Sequence, residues 1–261
     1  MKLKKIKNAL LVTLSLALVA AASVAITYAL GSSKDFGGAT NEFKNDNITA
    51  SLTEVHWDGT SGNPSGNSTS STADPTSVAS ASQGQEIAKN YLMGQVIPKD
   101  PKVNNTSDRD IPVYVGIKAV YTATIKDADN SNADVNATYY TKAQFEDAIA
   151  KFCKAESGTE GLNDGWSANA DGTHFYYANQ VAKGYASAPL FTHVKINTFA
   201  AGDGATYKIK TFSSAADTTG TYVNTNELPT FNINLTGYAI SAEGNATLTS
   251  AATTALDNLM A

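Results

Sequence analysis

Three histidines and a single cysteine are the residues whose chemistry could support catalysis or zinc binding: His56, His174, His193 and Cys153. A zinc protease commonly carries H-E-x-x-H, because one helical turn then directs two imidazoles at one metal ion with a glutamate base beside them. The sequence contains no such motif, and each histidine lies in a segment with strand-like alternation. The three could converge in space, but histidines without a shared pattern are more often ordinary strand residues, so we assign no metal ligand.

A serine or cysteine nucleophile has no better support in the sequence. There is no G-x-S-x-G motif, and Cys153 lies on the apolar face of a predicted helix, where burial disfavours a thiolate. One cysteine also cannot form a disulfide within the chain. The carboxylates are scattered, without a D-x-D-x-D-G loop for calcium. The sequence therefore predicts a protein with no catalytic residue and no cofactor.

The charge distribution makes nucleic acid an improbable partner. The formal net charge is −5. Four lysines lie in the first eight residues, so the rest of the chain has 15 of the 19 basic residues against 24 acidic ones. Phosphate binding needs clustered lysine and arginine, which this composition does not provide.

The N-terminus has the pattern of an export signal. A basic stretch, MKLKKIKN, precedes residues 9–30, which contain no charged side chain and include the small-residue pattern Thr27-Tyr28-Ala29. We predict a signal peptide over residues 1–29, cleaved after Ala29 to leave Leu30 as the new N-terminus. The alternative is a permanent anchor, because 22 uncharged residues are long enough to span a bilayer core of roughly 30 Å.

Alternating apolar residues predict a mainly β domain over residues 46–261. The clearest strand covers residues 111–125, and others are expected at 48–57, 173–181, 190–199, 206–212 and 231–241. Residues 59–84 are rich in Gly, Ser and Thr and predict an exposed, disordered loop. The expected fold is an antiparallel β-sandwich.

Two segments have helical rather than strand periodicity. Over residues 141–156, apolar side chains recur at helical spacing after a Thr141/Gln144 capping pattern; they are Phe145, Ala148, Ile149, Phe152 and Cys153. A short C-terminal helix is predicted from a second apolar face, made of Leu248, Ala252, Ala255, Leu256 and Leu259. The sandwich should therefore contain one inserted helix and one terminal helix.

Two prolines interrupt the apolar segment IPKDPKV. Pro98 and Pro101 have no backbone N–H, so this segment should lie at a sheet edge or cross between sheets. We expect Lys99 and Asp100 to place charge on that edge, which discourages indiscriminate strand pairing.

Several segments together resemble the TasA and camelysin family of Gram-positive exported proteins. They are the leader ending in TYA, ITASLTEVHWDG, GQVIPKDPKVNNTSDRDIPVYVGIKAV, THFYYANQVAKGYASAPLFTHVKIN and FNINLTGYAISAEG. The resemblance implies that the sandwich is jelly-roll-like and that a SipW-type signal peptidase removes the leader. It also implies a role as a subunit of extracellular biofilm-matrix fibres, assembled with or without an accessory matrix protein.

In such fibres the N-terminal segment of one subunit is thought to complete a sheet of the next. The resemblance therefore implies that residues 30–45 are a donor strand anchored by Phe36 and Phe43; the alternative is a mobile tail left by export. Two further hypotheses remain: a surface adhesin or accessory module, and a camelysin-like zinc protease. The sequence favours the homopolymeric fibre subunit.

Overall fold

The computed structural model describes residues 48–58, 83–202, 204, 206–242 and 247–261, and it is mainly β. All strand pairings within this part of the chain are antiparallel. The predicted mainly β class, an antiparallel β-sandwich, is confirmed. The inserted helix and the C-terminal helix are both present, but two further short helices precede them. The strands are β1 (Ala50–Thr53), β2 (Val96–Pro98), β3 (Lys102–Asn105), β4 (Val113–Asp127), β5 (Ala133–Tyr139), β6 (Ala150–Cys153), β7 (Trp166–Ala168), β8 (His174–Tyr177), β9 (His193–Ile196), β10 (Tyr207–Thr211), β11 (Thr221–Thr225) and β12 (Thr230–Ser241).

Four helices accompany these strands in the described residues. They are α1 (Val55–Asp58), α2 (Gln83–Ala88), α3 (Lys142–Ala148) and α4 (Ser250–Met260). A 3-10 turn, Ala128–Asn130, joins β4 to β5. The strand expected over residues 48–57 is wrong in its second half, because the chain turns into α1 directly after β1. The strands expected over 173–181 and 190–199 are present but shorter.

The largest sheet is built around β4. Its strand order is β12-β4-β8-β7, and β5 pairs with the C-terminal half of β4. The period-two face predicted for this segment is confirmed, because alternate residues from Val113 to Ile125 are 0–3% exposed. The pairing of β12 with β4 runs without interruption from Thr230↔Thr124 to Ser241↔Val113.

A second layer packs on this sheet. It contains the two-stranded sheet β1-β3 and the three-stranded sheet β2-β9-β6. The chain before β9 runs beside β3, where the Ser187 N–H donates to Val103 O at 2.9 Å. A Cβ built on Gly237 of β12 would lie 3.2 Å from Val103 Cγ2, so glycine permits the close approach of the two layers. Stacked rings fill the core between them, with Phe152 and Phe191 centroids 4.1 Å apart.

The helix predicted over residues 141–156 is wrong in its second half. Its start is as expected, since Thr141 Oγ1 accepts from the Gln144 N–H at 3.1 Å. However, α3 ends at Ala148, and the following residues form β6, which pairs with β9 from Ala150↔Ile196 onward. Pairing with a neighbouring strand overrides the helical spacing, and both arrangements bury Phe152 and Cys153.

The C-terminal helix α4 covers the outer face of the large sheet at one end. Its buried side chains are Ala252, Leu256 and Met260, which contact Tyr114 and Tyr176. Leu259, which the sequence placed on the apolar face, is 37% exposed. The reason is that residues spaced four apart from Ala252 face the sheet, and position 259 lies beside that row.

Candidate functional site

The predicted processing and polymerisation residues lie outside the described part of the chain. They are Thr27, Ala29 and Leu30 at the cleavage position and Phe36 and Phe43 in the N-terminal segment. Residues 59–82 of the predicted loop also lie outside it, whereas Gln83 and Gly84 begin α2. Among the described residues, no helix is long and apolar enough to cross a membrane. The residues of a candidate site are therefore taken from Ile48 onward.

Strand β12 forms one edge of the large sheet. Residues 230–236 of this twelve-residue strand pair with β4 alone among the described residues. Natural edge strands are usually protected by charged side chains, proline or a bulge. The sequence of β12, TFNINLTGYAIS, contains no charged residue and no proline, and its register with β4 has no bulge. The sequence and register of β12 itself thus provide none of these three devices against pairing with a further strand.

The two faces of β12 differ in a way that suits strand addition. Phe231, Ile233 and Leu235 pack against the core but are only partly buried. Phe231 also makes an edge-to-face contact with Tyr91, with ring centroids 5.5 Å apart. On the other face, Asn232 and Asn234 are exposed. A strand added here could cover the partly buried apolar row with its own alternate side chains.

A buried cluster of charged residues lies where β2 passes into β3. The Lys99 ammonium is 2.7 Å from Glu54 Oε2, and the two side chains are 7% and 6% exposed. The same ammonium lies 4.4 Å from the ring centroid of Trp57. Burial of two charged groups costs hydration free energy, and only close contact between them offsets that cost. The cluster therefore ties the end of β1 and helix α1 to the β2–β3 crossing.

Asp100 makes a second set of contacts in this cluster. Its carboxylate accepts from the His56 backbone N–H at 2.7 Å and lies 2.8 Å from His56 Nδ1. Lys102 Nζ is 4.0 Å away. The carboxylate thus joins α1 to the crossing segment by two hydrogen bonds, one of which fixes the backbone of α1.

These contacts correct one prediction and confirm another. Lys99 and Asp100 do not place charge on an exposed edge, since they are 6% and 3% exposed. The crossing between sheets is confirmed, because β2 pairs with β9 while β3 pairs with β1. The break in the strand at the two prolines turns the two charged side chains inward, where they meet Glu54 and His56.

The three histidines do not come together at one site. His193 interacts electrostatically with His56 and Asp100 beside the buried cluster. His174 instead lies near the C-terminal helix, where its Nδ1 is 2.9 Å from Asp257 Oδ1. The Tyr176 hydroxyl donates to that same oxygen. Over the described ranges, no three His, Cys, Asp or Glu side chains are grouped so that they could bind a metal ion.

Cys153 lies on a strand rather than on the predicted helix face. It is fully buried in β6, opposite His193 of β9. Burial raises the pKa of its thiol, and the nearby Glu160 carboxylate adds to that effect. A thiol held protonated at neutral pH is a poor nucleophile. Its surroundings are those of a core residue.

We expect acid to destabilise the fold through His193. Burial lowers the pKa of His193, and His56 acts in the same direction, whereas Glu156 and Asp100 oppose it. As the pH falls below about 6.5, the unfolded state therefore binds a proton before the folded state does. The free energy of unfolding should decrease over that range. Urea denaturation at a series of pH values should show a shallower decrease for His193→Gln, and parallel curves for the two proteins would contradict this assignment.

Sequence reasoning missed the buried cluster and the β12 edge for different reasons. Glu54, Lys99 and Asp100 belong to residue types that usually lie on the protein surface, and no local sequence pattern shows that they face inward. The uncharged run in β12 was visible in the sequence and could have indicated an unprotected edge.

Comparison of the chain with protein-family models, with curated protein sequences and with solved structures gave no match.

Proposed function

We propose that the protein is an exported structural subunit of extracellular matrix fibres, which polymerises by adding a strand of one subunit to a sheet of the next. The observation that supports this most directly is the uncharged edge of β12 over residues 230–236, which pairs with β4 alone among the described residues. A row of backbone donors and acceptors on such an edge is a template for a further strand.

The proposed occupant of this edge is the N-terminal segment of a second copy. Residues 30–45 lie just before Ile48, the first described core residue, and contain two large apolar side chains, Phe36 and Phe43. Donor-strand addition needs an extended segment joined to a folded domain, with alternate side chains that complete the acceptor's core. The partly buried row at Phe231, Ile233 and Leu235 provides the surface for those side chains.

This role involves processing and export but no chemistry by the domain itself. We propose that a SipW-type peptidase removes residues 1–29, which frees Leu30 and the donor segment outside the membrane. The product would belong to the cell surface or the matrix. In this scheme a second copy is the minimal partner, and an accessory matrix protein would act in addition to it.

Charge on the β12 edge should block fibre formation without unfolding the subunit. In the chain from Leu30, the double variant Asn232→Lys/Asn234→Lys places two lysines at exposed edge positions. Exposed substitutions of this kind usually change the free energy of unfolding by less than about 0.5 kcal/mol. We expect negative-stain electron microscopy to show no fibres, and size-exclusion chromatography to show a monomer.

The matched control uses the direct cross-strand partners on the same sheet face. Thr122 and Val120 of β4 lie opposite Asn232 and Asn234, but β4 has partners on both sides. The variant Val120→Lys/Thr122→Lys adds the same charge without altering the edge. It should polymerise normally. Normal fibres from both double variants would exclude β12 as the acceptor edge.

A further inference from the structure

A polar cleft of about 400 Å³ lies between α3 and the β10–β11 hairpin. Its walls are the C-terminal end of α3, β6, the segment after β9 and the hairpin. The volume falls within the range of about 300–1,000 Å³ that is usual for small-molecule sites. The side chains that matter for its chemistry are Asp147, Lys151, Asn197, Phe199, Lys210 and Tyr222.

Tyr222 provides an aromatic surface at the mouth of the cleft. It is 62% exposed, the second most exposed large apolar side chain in the described residues after Leu92. In the hairpin it is paired with Lys210, so the two side chains lie on the same face. Phe199 lines the cleft as well, and its ring is 6.4 Å from that of Tyr207. The Tyr222 ring, with its apolar faces and a hydroxyl at its edge, suits amphipathic ligands.

Four of the five charged side chains that line the cleft belong to close ion pairs, and Lys208 is the fifth. Lys210 Nζ lies 2.7 Å from Asp147 Oδ2, and Lys151 Nζ lies 3.0 Å from Glu160 Oε1. Glu146, which also lines the cleft, is 2.5 Å from Lys142 Nζ. An ammonium has three donors and a carboxylate about four acceptor positions, so each pair retains capacity for a further polar group.

This pairing selects the class of ligand. Anion sites concentrate positive charge without nearby carboxylates, whereas here each of these three pairs neutralises its own lysine. A hydroxyl group both donates and accepts, so it can bridge the two members of an ammonium–carboxylate pair. A sugar ring has adjacent hydroxyl groups and apolar C–H faces. Its hydroxyls match the ammonium–carboxylate pairs, and its C–H faces match the aromatic side chain beside them.

We propose that this cleft binds a neutral oligosaccharide segment, with Tyr222 as the stacking surface and the Asp147–Lys210 and Lys151–Glu160 pairs as its hydrogen-bonding groups. The proposal does not depend on fibre assembly. It adds an interaction with polysaccharide to whatever the domain does as a subunit.

The walls of the cleft are fixed before any ligand arrives. Asn197 Nδ2 donates to the backbone carbonyls of Glu146 and Asp147 at 2.9 and 3.2 Å, which joins the segment after β9 to the end of α3. The Tyr139 hydroxyl donates to Lys210 O at 3.1 Å and anchors the hairpin. A preformed site loses less conformational entropy on binding.

Saturation-transfer difference NMR tests the proposal, because it detects the ligand and works whether the chain from Leu30 is monomeric or fibrous. The probes are cellohexaose, chitohexaose and laminarihexaose, with polygalacturonate as an acidic comparison. We expect signals from at least one neutral hexasaccharide. Tyr222→Ala should weaken its binding about tenfold, the equivalent of 1.4 kcal/mol. Tyr140→Ala, which removes another exposed tyrosine outside the cleft lining, should leave it unchanged.

A second variant separates hydrogen bonding from general adsorption. Asp147→Asn removes the carboxylate beside Lys210, so it should weaken the neutral hexasaccharide several-fold and strengthen polygalacturonate binding. No signal from any of the three neutral probes would overturn the proposal. Equal effects of Tyr222→Ala and Tyr140→Ala would also overturn it. Binding of polygalacturonate alone, lost as salt is raised, would show adsorption by charge and have the same consequence.

Discussion

A chain that begins at Asp46 is expected to remain a folded monomer under conditions in which the chain from Leu30 forms fibres. The reason is that Ile48 is the first core residue that the structure describes, so this deletion removes the proposed donor segment and no described core residue. Without residues 30–45 the β12 edge of one subunit has no strand to receive. Negative-stain electron microscopy and size-exclusion chromatography at several concentrations measure the effect, and circular dichroism checks the fold.

A peptide of residues 30–45 sharpens this prediction. Added to the chain from Asp46, it should bind and raise the midpoint of thermal unfolding, because a ligand that binds only the folded state stabilises it. Added to the chain from Leu30, it should compete with donor segments and shorten the fibres. The control peptide carries Phe36→Ser and Phe43→Ser and should do neither. Normal fibres from the chain that begins at Asp46 would rule out donation by this segment.

The second large effect is expected at the buried Glu54–Lys99 pair. Lys99→Met retains much of the side-chain volume but removes the Lys99 ammonium from the buried Glu54 carboxylate and from the Trp57 ring. Removal of one member of a buried pair commonly costs about 3–5 kcal/mol. Urea denaturation should show a decrease of that size in the free energy of unfolding.

Two further variants identify the cause of this loss. The double variant Glu54→Leu/Lys99→Met replaces the pair with apolar groups and should recover most of the stability, because no uncompensated charge remains. Lys89→Met breaks the exposed pair with Glu86, in which the Lys89 and Glu86 side chains are 60% and 67% exposed. It should change stability by no more than about 1 kcal/mol. A small effect of Lys99→Met, similar to that of Lys89→Met, would contradict a stabilising role for the buried pair.

The buried cluster also bears on the proposed assembly. It fixes β1 and α1 against the β2–β3 crossing, and β1 is the first described strand after the proposed donor segment. Loss of the cluster should therefore disturb the point from which the N-terminal segment leaves the domain. If the Glu54→Leu/Lys99→Met variant forms fibres, assembly requires a stable exit point for the N-terminal segment and not the charges of the pair themselves.

The sequence by itself determined the elements whose signals are local and strong. The face of β4 follows from period-two alternation over many residues, and the start of α3 follows from the hydrogen-bonding capacity of Thr141. The break in strand pairing at Pro98 and Pro101 follows from the missing backbone donors, because a segment without those N–H groups cannot continue one ladder. The sequence left a sheet edge and a crossing between sheets as alternatives, and the pairing of β2 with β9 and of β3 with β1 decided for the crossing.

Only the tertiary structure decided the features that depend on a distant partner. The residues after Ala148 satisfy either a helix or a strand, and the presence of β9 as a neighbour selects the strand. Lys99 and Asp100 face inward because Glu54 and His56 are there to receive them, although the partners lie 45 and 44 positions away in the sequence. The cleft beside Tyr222 likewise exists only where separate segments of the chain meet. No local pattern encodes which of these distant residues will be neighbours, because each contact forms only when the sheets pack together.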